Sequence, residues 1–337
     1  MQEVKIDTIP SSASNSVTQL ELRHFSLAHL SDLHLTTLMK ARPHQLLNKR
    51  LFGYLSWLRK RRIVHRLDVV SALLQDLKQR QPDHIAVTGD LTHLGLPSEF
   101  AEASRWISLL GTPKQVTLVP GNHEAYVGKT WHKHLSVWAP YLASDEQQKL
   151  CLTESFYPSL RVRGPVAIIG LCSASPSLPF LATGKLGKDQ LAVFEKILSA
   201  TKKRGLLRIV LIHHPPVPGS IKWRKRLVDS SQFASVIARQ GAELVLHGHT
   251  HAQITTALKS PNGMTPVIGA PSTSEVDQRH GRNASYNIYK FVRTELSWRL
   301  TMAIRTYSEK TGQFFSGREV NMVLPGSSFP YPVEDEL

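Results

Sequence analysis

Short apolar, β-branched runs bounded by turn residues recur along the chain at Phe25 to Leu30, His84 to Thr88, Val116 to Val119, Val166 to Leu171, Arg208 to Ile212, Leu244 to Leu246 and Pro266 to Ile268. Runs of this length predict buried strands. Between several of them the spacing predicts helices over 64–80, 98–110, 188–203 and 230–240. Strands alternating with helices imply sheets covered by helices, so the fold class is α/β. Beyond Pro271, Tyr286 to Val292, Trp298 to Tyr307 and Gln313 to Val320 read as further strands and hairpins completing the same domain.

Two basic segments interrupt the alternation. Residues 40–66 carry Lys40, Arg42, Lys49, Arg50, Arg59, Lys60, Arg61, Arg62 and Arg66 and no acidic residue. Leu47, Leu51, Tyr54, Leu55 and Leu58 fall on one helical stripe with Trp57 nearby, which predicts a basic amphipathic helix or helical hairpin inserted into the domain. The second segment, Ile221-Lys222-Trp223-Arg224-Lys225-Arg226, is shorter and equally basic. The expected organisation is an N-terminal extension over 1–22, one domain over 23–324 with the insertion at 40–66, and a loose tail over 325–337, rich in Pro, Ser and acidic residues.

With 337 residues, 41% hydrophobic and 20% charged, the chain is neither disordered nor a polytopic membrane protein. Lys and Arg number 41 against 26 acidic residues, a net charge of +15 that favours an anionic partner: nucleic acid, a phospholipid surface or a phosphorylated metabolite. The first twenty residues carry Glu3, Lys5 and Asp7 and no apolar run, so they do not read as a signal peptide, and no segment approaches the roughly 18 apolar residues of a membrane span. The expected location is the cytoplasm, with peripheral attachment to the inner face of the cytoplasmic membrane. Cys151 and Cys172 lack metal or redox spacing and read as small buried hydrophobes of a reducing compartment.

Five polar motifs sit where strands end: Ser31-Asp32-Leu33-His34, Thr88-Gly89-Asp90, Pro120-Gly121-Asn122-His123-Glu124, His213-His214-Pro215 and Gly248-His249-Thr250-His251. Ligands collect at the carboxyl ends of strands in open α/β sheets, so five such clusters can converge on one site. Two carboxylates, an amide carbonyl and several imidazoles form a mixed oxygen and nitrogen set suited to borderline divalent metals. His249 and His251 alternate on an extended segment and share a face, with Gly248 permitting close approach. His29, His93 and His247 read as structural, His214 as a neighbour of the ligand His213, and Glu124 as a carboxylate orienting a ligand.

In this order the motifs resemble the calcineurin-like metallophosphoesterase superfamily, from about Phe25 to Ser272. That resemblance implies two mixed β-sheets sandwiched and flanked by helices, holding two divalent metals. It implies that Asp32, His34 and His251 bind one metal, that Asn122, His213 and His249 bind the other, and that Asp90 bridges them. Manganese is favoured by the donors, with zinc, iron and cobalt admissible. A bridging carboxylate and hydroxide offset the repulsion of paired cations, and the hydroxide attacks phosphorus. His123 is the candidate for contacting the phosphoryl oxygens or protonating the leaving group.

The Leu47-Asn48-Lys49-Arg50 stretch, followed by Gly53-Tyr54 and Trp57, is similar to the basic insertion of a bacterial subgroup that includes the chlamydial-type UDP-2,3-diacylglucosamine hydrolase. This resemblance implies cleavage of UDP-2,3-diacylglucosamine to UMP and 2,3-diacylglucosamine 1-phosphate in lipid A synthesis. Trp57, Arg59 and Arg61, with Trp223 and Arg224, are the residues expected to meet substrate or anionic lipid. Alternatives are a cyclic-nucleotide phosphodiesterase or nuclease of the same superfamily, with arginines on phosphates and aromatics on bases, and a non-catalytic binding scaffold. No protein partner is legible in the sequence.

Overall fold

The uninterrupted apolar runs become strands whose two faces are buried in different places. The computed structural model describes residues 24–128, 131–145, 156–294 and 297–324; the proposed extension, the tail and Cys151 lie outside the described residues. In chain order the strands are β1 (His24–Leu30), β2 (His84–Val87), β3 (Val116–Leu118), β4 (Ser159–Arg163), β5 (Val166–Gly170), β6 (Leu207–Leu211), β7 (Leu244–His247), β8 (Ile254–Ser260), β9 (Gly263–Gly269), β10 (Ser285–Arg293), β11 (Trp298–Ser308) and β12 (Gln313–Leu324). They form two six-stranded mixed sheets, ordered β12-β11-β10-β1-β2-β3 and β4-β5-β6-β7-β9-β8. The pairs β1–β2, β2–β3, β5–β6, β6–β7 and β7–β9 are parallel.

Alternation along the second sheet explains its sequence. Val166, Ile168, Leu207, Ile209, Leu244 and Leu246 join Leu27, Ile85 and Leu118 of the first sheet in one core. Their neighbours Ala167, Ile169, Val210 and Val245 point the other way, into a second core beneath the long helices. A strand buried on both faces has no polar positions to alternate with. The main helices are α1 (Arg50–Ser56), α2 (Leu67–Arg80), α3 (Pro97–Leu110), α4 (Lys188–Lys203) and α5 (Ser230–Gln240). Helices α2 and α3 pack through Val69, Leu73, Phe100 and Ile107 into the first core. Helices α4 and α5 pack through Phe194 and Phe233, whose rings stack 5.6 Å apart, into the second.

The departures from expectation are local. Helix α2 begins at Leu67 rather than Val64, because His65 is extended and bridges Glu275. Strands β4 and β8 were not predicted: β4 alternates with arginines, and β8 is an edge strand with several exposed positions. Arg161 of β4 is buried at 3% exposure because its guanidinium donates to the carbonyls of Pro113, Pro140, Ala143 and Val116. Cys172 packs against the first core, and burial pushes its thiol up to about 12, which leaves it unreactive.

The insertion is a short 3₁₀ turn at Pro43–Leu46, then helix α1 continuing through a π-helical stretch over Trp57–Arg61 to Val64. It docks through a small cluster of its own in which Trp57 packs with Leu38, Leu94 and Leu96. This corrects the expectation for Trp57: at 5% exposure it anchors the insertion and meets neither solvent nor a membrane. Among the described residues no helix is long and apolar enough to cross a membrane.

Candidate metal centre

The five motifs occupy the turns leaving β1, β2, β3, β6 and β7, all at carboxyl ends of parallel strands, three from one sheet and two from the other. Compressing so many donors into one place bends the backbone: Asp32, His34, Asp90, His249 and His251 all have positive φ, between 44° and 69°. Such positions cost on the order of 1–3 kcal/mol each for a residue with a β-carbon and persist only where the surroundings impose them. Here hydrogen bonds do so. Asp32 N donates to Gly89 O at 3.0 Å, His34 N to Asp90 O at 2.9 Å and His249 N to Asp32 Oδ2 at 2.9 Å. Gly248 is needed for the last of these, since a β-carbon there would fall on the Ser31 hydroxyl.

Glu124 holds the centre from beneath. Its carboxylate accepts from the amides of Asp90, Leu91, Thr92 and Gly121 at 2.7–2.9 Å, so it shapes the turn carrying Asp90. Burial, and next the Asp90 charge, push it up to about 7. Glu99 does the same for the following turn, taking the amides of His93, Leu94 and Leu96.

The donor atoms face one another. His213 Nε2 lies 3.3 Å from Asp90 Oδ2 and 3.2 Å from Asn122 Oδ1, and His249 Nδ1 lies 3.2 Å from His213 Nε2. On the other side His251 Nε2 is 3.2 Å from Asp32 Oδ1. Ligand atoms of Asp32, His34 and His251, and those of Asp32, Asp90 and His213, each lie within 4.8 Å of one another. The rear nitrogen of several imidazoles is fixed: His34 Nδ1 on Thr92 O at 2.8 Å, His213 Nδ1 on Thr88 O at 2.6 Å and His251 Nδ1 on Glu275 Oε2 at 2.6 Å. Anchoring of that kind orients a metal-binding imidazole.

This donor set fits divalent cations. The imidazole nitrogens of His213 and His249 face each other, and His249 Nε2 is buried without a hydrogen-bond partner. Burial favours neutral imidazoles, yet Asp90 pulls His213 up to about 9 and Asp32 does the same to His251, while histidines, His251 foremost, outweigh burial and hold Asp32 well below the usual carboxylate range. The buried carboxylates thus draw positive charge to this place.

His214 lies beside His213 and His249 with its Nδ1 on Ser173 Oγ at 2.8 Å and its Nε2 buried without a hydrogen-bond partner, but of the two adjacent histidines it is His213 that faces Asp90 and Asn122. His29 bonds Thr88 Oγ1, and His247 bonds Gly248 O. His93 stacks on His34 with ring centroids 5.1 Å apart. His123 sits over the centre with its backbone amide on Asp90 Oδ1 at 2.8 Å and its Nδ1 on the His93 carbonyl at 2.5 Å, which makes Nδ1 the protonated nitrogen. Burial, with Arg61 next, holds its imidazole well below its usual range and therefore neutral.

Of the residues expected to meet substrate, Arg61 alone reaches the centre, against His123. Arg59 and Arg224 are exposed, and Trp223 is 62% exposed on the surface. From the second basic segment it is Lys225 that lines the mouth, in a polar cavity of about 260 Å³ with Arg61, His65 and Arg282. Glu275, His65 and Arg282 carried no signal in the sequence: each comes from a segment without a motif and acquires its place by contact, Arg282 at 3.2 Å from Glu275 and His65 Nδ1 at 2.8 Å from Ser274 Oγ.

A two-sheet sandwich with carboxylates and imidazoles gathered at strand ends of both sheets defines a centre built for divalent cations. The sequence profile of the calcineurin-like phosphoesterase family matches residues 25–253, so the chain belongs to that family and is a metal-dependent phosphoester hydrolase. A probable cyclic nucleotide phosphodiesterase of Synechococcus is 29% identical over 209 residues, 60% of this chain and 70% of the relative. A glycerophosphodiester phosphodiesterase of Enterobacter lignolyticus is 29% identical over 192 residues, 57% of either chain. The crystal structure of a dimetal phosphatase from Danio rerio shares the fold, with a TM-score of 0.56 at 12% identity over 89% of this chain and 98% of its own.

Proposed function

We propose that this phosphoesterase hydrolyses a phosphodiester or diphosphate joining two sizeable groups. Asp32, His34 and His251 would hold one divalent cation and Asn122, His213 and His249 a second, with Asp90 between them. When bound, such a pair supplies Lewis acidity that activates water and offsets charge on the phosphoryl oxygens. The chain's own residues do the remainder. Glu124 fixes the Asp90 turn, Glu275 and the Thr88 and Thr92 carbonyls fix the imidazoles, and Arg61 presents a cation to the incoming anion. His123 presents Nε2 to the bound phosphoryl group, Nδ1 being committed to His93, and there takes up the proton released as water adds to phosphorus and passes it to the leaving oxygen.

Two cavities favour a substrate with an arm on each side of phosphorus. The polar one of about 260 Å³ and a second of about 320 Å³ meet at Arg61, Asn122 and His123. Within this class, the Leu47 to Trp57 insertion supports UDP-2,3-diacylglucosamine, cleaved to UMP and 2,3-diacylglucosamine 1-phosphate, with manganese in the centre. Attachment to the inner face of the membrane is supported by exposed Leu47, Leu51, Phe52 and Leu55 beside Arg59, and by Trp223 with Arg224. A cyclic nucleotide is the second reading, favoured by the Synechococcus relative. Manganese-loaded enzyme incubated in parallel with UDP-2,3-diacylglucosamine, a cyclic nucleotide, bis-p-nitrophenyl phosphate and single-stranded DNA decides. Efficient turnover of the first is expected; preferential turnover of the cyclic nucleotide replaces the lipid reading with the second.

A further inference from the structure

The second cavity lies between helix α1 and the loop over 177–182, and the centre's Asn122 and His123 form one end of it. Its rim is apolar and open to water. Phe52 is 54% exposed, Leu178 73% and Phe180 78%, and the rings of Phe52 and Phe180 lie 5.4 Å apart across the gap between the two segments. Large apolar side chains grouped at a cleft, rather than scattered over a surface, mark a binding site.

The loop is held in this display. Lys49 Nζ donates to Ser177 O at 2.7 Å, Ser177 Oγ to Leu181 O at 2.7 Å and Ala182 N to Arg224 O at 2.9 Å. Phe180 itself has φ +64°, a left-handed position unfavourable for a bulky residue. Backbone strain is thus accepted to present a phenyl ring to solvent, where it adds nothing to a core. Of the cations lining the cleft, Lys49 is bound to Ser177 and lies 4.7 Å above the Tyr126 ring, and Arg61 stands at the end shared with the centre, where the phosphate is placed. The wall offered by Phe52, Leu178, Pro179 and Phe180 carries no hydrogen-bonding side-chain atom, so it can stack on a base face but cannot read a base edge, whereas it matches a hydrocarbon chain along its whole length.

We infer that the cleft between helix α1 and the 177–182 loop is a hydrocarbon subsite, which seats an alkyl or acyl arm of the substrate while the phosphate sits at Arg61 and His123. The inference rests on the diester reading above, and its test separates the two. In p-nitrophenyl alkyl phosphates, water adds to phosphorus, the bond to the nitrophenyl oxygen breaks, and nitrophenolate leaves as the proton passes to solvent. Comparing methyl, butyl and octyl esters below their aggregation limits, kcat/KM of the manganese-loaded enzyme should rise about tenfold or more from methyl to octyl. The octyl-to-methyl ratio should collapse towards one in a Leu178→Ser/Phe180→Ser variant and persist in Leu109→Ser, a control at an exposed leucine elsewhere. A flat series in the wild type, or an unchanged ratio in the double variant, overturns the subsite. Failure to cleave any member overturns the diester reading instead, and calorimetric binding of octylphosphonate against methylphosphonate then decides the subsite alone: equal affinities remove it.

Discussion

The Arg61 guanidinium lies against the His123 imidazole, its Nη1 3.4 Å from both ring nitrogens, so it approaches the ring face rather than one lone pair. Burial lowers its affinity for protons, and among the described residues no carboxylate forms an ion pair with it. A partly desolvated cation without a carboxylate to balance it is costly, and an anion bound at the centre relieves that cost. Replacing Arg61 by Ala should therefore lower kcat/KM for a phosphodiester about a hundredfold, the usual loss for one charge-stabilising donor, and leave the bound metal unchanged. Arg61→Lys should recover only part, because a point charge does not span two oxygens. Steady-state kinetics with metal analysis checks this; loss of metal in Arg61→Ala would make the residue structural.

Glu275 reaches the centre only through His251, accepting from its Nδ1 while Arg282 pairs with the carboxylate from outside. Removing it frees the His251 ring to turn and lowers its basicity. The Glu275→Ala variant should bind manganese about 10- to 100-fold more weakly, as outer partners of metal-binding histidines generally do. Titration against a competing chelator measures it. Wild-type affinity with reduced turnover would assign Glu275 to the substrate rather than to the metal.

The chemistry was legible in the sequence where it is local. Each of the five motifs is a strand end followed at once by its donors, so an apolar run and two or three polar letters suffice to place it. Glu275 and His65 owe their roles to a bridge between segments about two hundred positions apart, and nothing near either one in sequence announces it. In the insertion only Trp57 departs from expectation. Leu47, Leu51 and Leu55 form an exposed side, as a lipid-facing stripe requires, while Gly53 and Trp57, four apart, form the buried one. The sign of that buried side is the lone glycine inside a helix, which marks close approach rather than weakness.

Gly53 sets how closely the insertion lies on the domain. A β-carbon there would collide with the Leu94 side chain and the Tyr126 hydroxyl, both backed by packed neighbours. Gly53→Val should lift helix α1 and carry Arg61 with it. The expected cost is about 1–3 kcal/mol of overpacking, confined to the insertion. Limited proteolysis should then cut within 40–66 faster than in the wild type, and kcat/KM should fall while the thermal midpoint of the domain moves little. Equal protease resistance would mean that the helix accommodates the side chain without moving.

Acid stability should report on a histidine remote from the metal. His84 begins β2, is fully buried, and bonds Thr117 Oγ1 at 2.8 Å through Nε2. Burial, reinforced by Arg163 and Arg161, pulls its imidazole down to about 3. In the unfolded chain the same group takes a proton near 6.5, so between about 3 and 6.5 the unfolded state binds more protons and stability must fall as the pH is lowered. At about 1.4 kcal/mol per pH unit for one proton, the loss at pH 5 relative to alkaline pH is about 2 kcal/mol. His84→Gln removes the titration and retains an amide able to meet Thr117. Urea unfolding of metal-free protein at pH 8 and pH 5, with chelator present throughout, should show the wild type losing about 2 kcal/mol more than the variant between the two conditions. Equal losses would mean that His84 titrates alike in the folded and unfolded chains, and the acid sensitivity would then belong to other buried histidines such as His29.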